Sequence, residues 1–124
     1  MAKSVVVFEN DPAVADSLAG GLRYHFSVLS VPVTRSQQDL RDRVAQNDPQ
    51  AVVLNIEAWR LADVESLHRD FPELPIVCTH RIPDEGMWAA ALAVGAADVC
   101  PSGDVRNVLT SVLRSTTQSR NASA

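Results

Sequence analysis

Residues 4–22 read SVVVFENDPAVADSLAGGL, and this stretch decides the fold. Val5-Val6-Val7-Phe8 is an unbroken apolar, β-branched run, the pattern of a strand buried on both faces. Glu9-Asn10-Asp11 follows, and then Pro12. Asp11 before Pro12 predicts an N-cap with proline at the first helical position. Val14, Leu18 and Leu22 then stand four apart, one stripe of an amphipathic helix ending near Tyr24.

The same alternation repeats down the chain. Val28 to Val31 predicts a second strand, closed by Pro32. Ser36-Gln37-Gln38-Asp39 resembles a capping box opening a helix with Leu40 and Val44 on one face, broken at Asn47-Asp48-Pro49. Ala51-Val52-Val53-Leu54 is a third strand running into Asn55, and Val64, Leu67 and Phe71 mark a third helix that ends before Pro72. Ile76-Val77-Cys78 is a fourth strand leading to Thr79. Pro83-Asp84-Glu85 starts a fourth helix with carboxylates where the helix dipole favours them, and Gly95 suits its left-handed C-terminal position. Asp98-Val99-Cys100 is the fifth strand. Ser102 is expected to cap a last helix striped by Val105, Val108, Leu109, Val112 and Leu113.

This order, (βα)5, predicts an α/β fold: a doubly wound five-stranded parallel sheet with right-handed crossovers and helices on both faces. Functional groups in such sheets gather at the carboxyl ends of the strands, here Glu9-Asn10-Asp11, Asn55, Thr79-His80 and Pro101-Ser102. Residues 1–116 form one domain. Residues 117–124, rich in Ser, Asn and Ala, are expected to be a flexible tail or the stub of a linker.

Composition bounds the function. With 124 residues there is room for one domain, and 46% hydrophobic with 21% charged residues is ordinary globular usage. A net charge of -4 argues against direct nucleic-acid binding, which calls for a basic stripe. No apolar run approaches the roughly 20 residues of a spanning helix, and no signal peptide opens the chain, so a cytoplasmic protein without a membrane partner is expected. Cys78 and Cys100 are too few for a disulfide framework, and His25, His68 and His80 are scattered, so neither a metal nor another cofactor is expected. The two cysteines end strands expected to be neighbours. Their side chains are therefore expected to be within reach of each other, with two buried thiols favoured over a redox pair.

The acidic cluster Glu9-Asn10-Asp11-Pro12 after strand one, Asn55 ending strand three, Thr79 ending strand four and Gly95-Ala96-Ala97-Asp98 before strand five together resemble a response-regulator receiver domain, the phospho-acceptor module of two-component signalling. The resemblance covers residues 4 to about 115. It implies a flavodoxin-like, chemotaxis-type fold with strand order 2-1-3-4-5. It also implies a pocket in which an Asp attacks phosphorus, two carboxylates after strand one hold Mg²⁺, a Thr or Ser binds the phosphoryl group and a Lys neutralises it.

The chain departs from that pattern three times. Asn55 stands at the acceptor position, and a carboxamide cannot form an acyl phosphate. Asn10 stands at the second metal carboxylate. No lysine follows strand five, where Ser102 falls in an ungapped reading. The expectation is a degenerate phospho-acceptor pocket built from Glu9, Asn10, Asp11, Asn55, Glu57, Thr79 and Ser102, with no catalytic and no metal-binding residue. Asn55 is expected either to hydrogen-bond Thr79 or a loop amide, or to be a passive surface amide. Glu57 is expected to fill part of the vacated site or to face water.

In receivers, the fourth helix, fifth strand and fifth helix form the usual surface for dimerisation or output. After its opening carboxylates the fourth helix carries no charged residue from Gly86 to Ala97, and an exposed apolar patch there containing Met87 or Trp88 would be an interface signature. By the resemblance, Met87, Trp88, Ala91, Val99, Arg106 and Thr110 are the interface candidates. The functional expectation is a pseudo-receiver, not an enzyme, which acts in two-component-type signalling through contact with a signalling protein or with a second copy of itself. The alternatives are phosphorylation at Glu9 or Asp11, and the N-terminal regulatory domain of a DNA-binding transcriptional regulator.

Overall fold

The computed structural model describes residues 4–26 and 30–123. Its elements run β1 (Val5–Phe8), α1 (Pro12–Phe26), β2 (Val33–Thr34), α2 (Gln37–Asn47), β3 (Ala51–Asn55), a 3-10 turn (Ile56–Ala58), α3 (Leu61–Asp70), β4 (Ile76–His80), α4 (Glu85–Ala93), β5 (Asp98–Pro101) and α5 (Val105–Ser123). The five strands are all parallel, in the order β2-β1-β3-β4-β5. The doubly wound α/β sheet expected from the sequence is therefore the fold observed.

Alternation along the strands divides the core in two. Val6, Phe8, Val52, Leu54, Ile76, Cys78 and Val99 face α2, α3 and α4, where Leu40, Val44, Val64, Leu67 and Ala91 cover them. Val5, Val7, Val53, Val77 and Cys100 face α1 and α5, against Leu18, Leu22, Val108 and Val112. Each fully buried Val or Leu is worth about 1.5–3 kcal/mol of transfer free energy. The strands read as unbroken apolar runs because both of their faces are covered.

Local signals close the elements much as the sequence implies. The Ser36 hydroxyl accepts the Asp39 N–H at 3.1 Å to open α2, and Asp84 Oδ1 accepts the Met87 N–H at 2.8 Å to open α4. Gly95 ends the turn after α4 at φ +112°, and a Cβ there would fall 2.4 Å from the His68 ring. Only glycine satisfies both the backbone angle and the approach of α3.

The structure corrects three expectations about elements. Among the described residues the regular second strand is Val33–Thr34, beyond Pro32; of the expected Val28–Val31 strand, Val28 and Leu29 lie outside the described residues and Ser30 makes an isolated parallel bridge with Ser4. The carbonyls of Ser30, Pro32 and Thr34 accept from the N–H groups of Val5, Val7 and Glu9, so the edge pairing runs through the proline. A proline on an edge strand loses only its own donor and still accepts. Ser102 does not cap the last helix: its N–H bonds the His80 carbonyl, and Asp104 Oδ1 accepts the Asn107 N–H instead. Cys78 and Cys100 do not approach each other across one face. Cys78 lies in register with Val99, and Cys100 with Thr79, which sends the two thiols to opposite faces of the sheet. The backbone of residues 117–123 continues α5.

Candidate functional site

The ends of β1, β3 and β4 project side chains toward the α1/α5 face. Glu9 follows Val5 and Val7, Asn55 follows Val53, and Thr79 follows Val77, each two residues on and so on the same face. Asn55 and Thr79 are register partners. The loops above them open a cleft of about 560 Å³ lined by Glu9, Asn10, Asp11, Val14, Asn55, Glu57, Ala58, Arg81, Ser102 and Gly103.

The centre of the cleft is a carboxylate held by an amide. Glu9 is only 2% exposed. The Asn55 side-chain nitrogen donates to both of its oxygens, at 3.1 and 3.0 Å, and the Asp11 N–H donates to Oε2 at 3.1 Å. Asn55 Oδ1 in turn accepts the Glu57 N–H at 2.9 Å, closing the turn that leaves β3. Both ends of the carboxamide are therefore used, one for a charge and one for backbone. An aspartate could serve only the second.

A second cluster roofs the cleft. Glu57 Oε1 accepts the Arg81 N–H at 2.7 Å and its Nε at 3.2 Å. The Arg81 backbone bond is the largest influence holding the Glu57 carboxyl below its ordinary range. Burial opposes it, and the Arg81 charge, its side-chain bond and His80 reinforce it. His80 Nδ1 accepts the Ile82 N–H at 3.1 Å and lies 3.8 Å from Glu57 Oε1.

The structure thus brings Glu9, Asn10, Asp11, Asn55, Glu57 and Ser102 around one cleft. Thr79 lies beneath it, 1% exposed, with Oγ1 lacking a hydrogen-bond partner. Asn55 bonds the loop amide of Glu57 and, beyond the partners considered from the sequence, Glu9; Thr79 is not its partner. Arg81 was missed altogether. The signal that could have found it is its place directly after the carboxyl end of β4.

The residues do not fit a hard divalent cation. Both Glu9 oxygens are taken by Asn55 and the Asp11 N–H, and Asp11 Oδ1 caps α1 through the Ala13 and Val14 N–H groups. Among the described residues, no group of three or more His, Cys, Asp or Glu side chains is placed to hold a metal ion.

On the opposite flank, α4 beyond Glu85 shows the charge-free surface its sequence implies. Trp88 is 47% exposed, Ala89 and Ala93 face outward, and Met87 is half-buried. Arg106 and Thr110 are exposed on α5. Two interface candidates are corrected: Ala91 is fully buried and Val99 nearly so, both packed into the core beneath α4.

No protein-family model matches the chain, and no curated protein matches it. Solved structures do. The signal receiver domain of a DNA-binding response regulator from Colwellia psychrerythraea superposes with a TM-score of 0.81 at 14% identity, covering 94% of this chain and 98% of that one. A CheY-like response regulator receiver domain from Methanospirillum hungatei gives 0.82 at 13% identity, over 98% and 99% of the two chains. A response regulator from Thermotoga maritima gives 0.83 at 12% identity, over 94% and 99%. Among the described residues, no helix is long and apolar enough to cross a membrane. With the sheet order, the strand-end cleft and these superpositions taken together, the chain has the fold of the response-regulator receiver domains.

Proposed function

We propose that this domain is a pseudo-receiver: a cytoplasmic signalling module, without catalysis of its own, that works by protein contact and not by aspartyl phosphorylation. One observation carries the reading. The side chain at the end of β3 is the Asn55 carboxamide, whose nitrogen is committed to both oxygens of the buried Glu9. Attack on phosphorus needs a free carboxylate oxygen, and the amide nitrogen lone pair is delocalised into its carbonyl. The cation that would neutralise a phosphoryl group is also displaced: Ser102 and Gly103 line the cleft after β5, and Arg81 is engaged by Glu57.

The surface that supports contact is the outer face of α4, presenting Trp88 and Met87 with the flanking Ala89 and Ala93, while the exposed Arg106 and Thr110 of α5 line a groove with Gly21 and His25 of α1. A second copy of the chain or another signalling protein would meet it there. Phosphorylation at Glu9 or Asp11 is the competing reading, and Glu9 is disfavoured by its burial. A regulatory role beside a DNA-binding domain is a second reading, favoured by the regulator that supplied one of the matched receiver structures.

Incubation with acetyl phosphate and Mg²⁺, followed by intact-mass measurement, tests the chemistry. No mass change is expected. An acid-labile adduct of one phosphoryl group overturns the proposal, and peptide mapping to Glu9 or Asp11 would identify the acceptor. Sedimentation tests the surface: Ala93→Glu is expected to weaken any self-association at least tenfold, since an interface charge left without a partner costs more than about 1.4 kcal/mol.

A further inference from the structure

Asp98, the first residue of β5, is bonded from three directions. Trp88 Nε1 on α4 donates to its Oδ1 at 3.2 Å, and the Val99 N–H donates to the same oxygen at 2.8 Å. Ser111 on α5 donates to Oδ2 at 2.5 Å. The Cys100 thiol lies 3.2 Å from the Ser111 hydroxyl. Because that hydroxyl gives its proton to Asp98, the thiol is the donor in the second contact. A continuous chain therefore runs from the Cys100 thiol through the Ser111 hydroxyl and the Asp98 carboxylate to the Trp88 indole.

The chain spans the least anchored helix of the fold. Ala91 is the one fully buried residue of α4, with Met87 half-buried beside it, and an alanine contributes little burial. The indole bond to Asp98 is the polar tie between α4 and β5, and it reaches outward to a ring that is 47% exposed. On the other side, Ser111 is buried and fixed within α5, whose Val108 and Val112 are locked in the core.

We infer that the Asp98 carboxylate is a latch that couples α4 to α5. With Ser111 engaged, the carboxylate is held in the orientation that receives Trp88. When Trp88 leaves, the carboxylate keeps the Val99 N–H but loses one of its two side-chain donors from the helices, and Ser111 is loosened in turn. Both arms fix the orientation of the same carboxylate, so losing one loosens the geometry the other needs, and the two are coupled and not additive. A protein that takes hold of the exposed Trp88 ring would thereby be felt on α5, across the sheet and without contact to it. The device rests on side-chain geometry and stands whether or not the cleft accepts phosphate.

Native-state amide hydrogen exchange on the full chain tests it with two variants, each cutting one arm. Ser111→Ala removes the α5 donor and leaves α4 untouched; Trp88→Phe removes the indole donor and keeps an aromatic ring. Ser111→Ala is expected to speed exchange of the α4 amides between residues 88 and 93, and Trp88→Phe that of the α5 amides around residue 111. Each change is expected to be at least about twofold, the smallest coupling typical of groups that share a partner. The β3 amides, as an internal control for global stability, are expected to change less. If each substitution speeds exchange only in its own helix, or if all three regions change equally, the latch is overturned.

Discussion

Asn55→Asp would put the family's usual acceptor group back into a cleft arranged around an amide. The substitution is nearly isosteric, so its cost is electrostatic and can be worked from the contacts. Two bonds from the Asn55 nitrogen to Glu9, at 3.1 and 3.0 Å, become a second carboxylate facing a carboxylate that is 2% exposed. At an effective dielectric of about 20, two unit charges about 3 Å apart repel by about 5 kcal/mol. The protein can avoid that by keeping one carboxyl protonated. At pH 7, relative to an ordinary carboxyl value of about 4.3, protonation costs about 3.7 kcal/mol, and at pH 5 about 1 kcal/mol. The cheaper route sets the penalty, so the variant is expected to lose about 3–4 kcal/mol at pH 7 and about 1 kcal/mol at pH 5. The sign follows from proton uptake. The folded variant holds a proton that the unfolded chain releases, so its stability relative to the natural chain falls as pH rises between 5 and 7. Urea unfolding of both proteins at the two pH values measures the difference directly. An equal loss at both, or no loss at pH 7, refutes the reasoning and with it the view that Asn55 is an electrostatic partner of Glu9.

Four further outcomes are expected. Gly95→Ala forces a Cβ onto the His68 ring at φ +112°, and the melting temperature should fall by the equivalent of about 2 kcal/mol or more; combining it with His68→Ala should recover the steric share but not the backbone share. Burial pushes the Cys78 thiol from 9.0 up to about 12, so it should stay silent to a thiol reagent at pH 8 until the protein unfolds. The folded chain keeps that proton where the unfolded chain loses it, so stability should decline by up to about 1.4 kcal/mol per pH unit from pH 9 toward 12, a slope that Cys78→Ala should flatten. Ser36→Ala should cost about 1 kcal/mol by removing the α2 cap, and a loss under a few tenths would mean the Asp39 N–H finds another acceptor.

The central sheet was legible because its strands are buried on both faces, which writes them as bare apolar runs. The edge was not. Val28–Val31 is the more strand-like sequence, yet regular pairing to β1 falls at Val33–Thr34, because tertiary register and not local propensity decides where an edge strand lies. Ser102 and Asp104 are both good caps by composition; the ladder contact of Ser102 with His80 keeps the chain extended there and passes the cap to Asp104. The α4 surface was half readable. A helix of alanines has no amphipathic signal, so nothing in its sequence says that Ala91 turns inward while Ala89 and Ala93 face outward. At the cleft, residue types revealed what was missing, but not what replaced it. The Asn55–Glu9 and Glu57–Arg81 contacts join residues 46 and 24 positions apart and exist only once the strands are aligned.

The strand order also sets a timetable. β1 sits inside the sheet, paired on one side to β3, whose register partner for Val5 is Ala51. A ribosome adding about 5–20 residues per second needs several seconds to make the intervening chain. Throughout that interval Val5-Val6-Val7-Phe8 is an uncharged, β-prone segment without its main partner, the kind of sequence that seeds intermolecular pairing. Glu9 and Asp11, directly behind it, stand where charged gatekeeper residues flank an unavoidable hydrophobic strand.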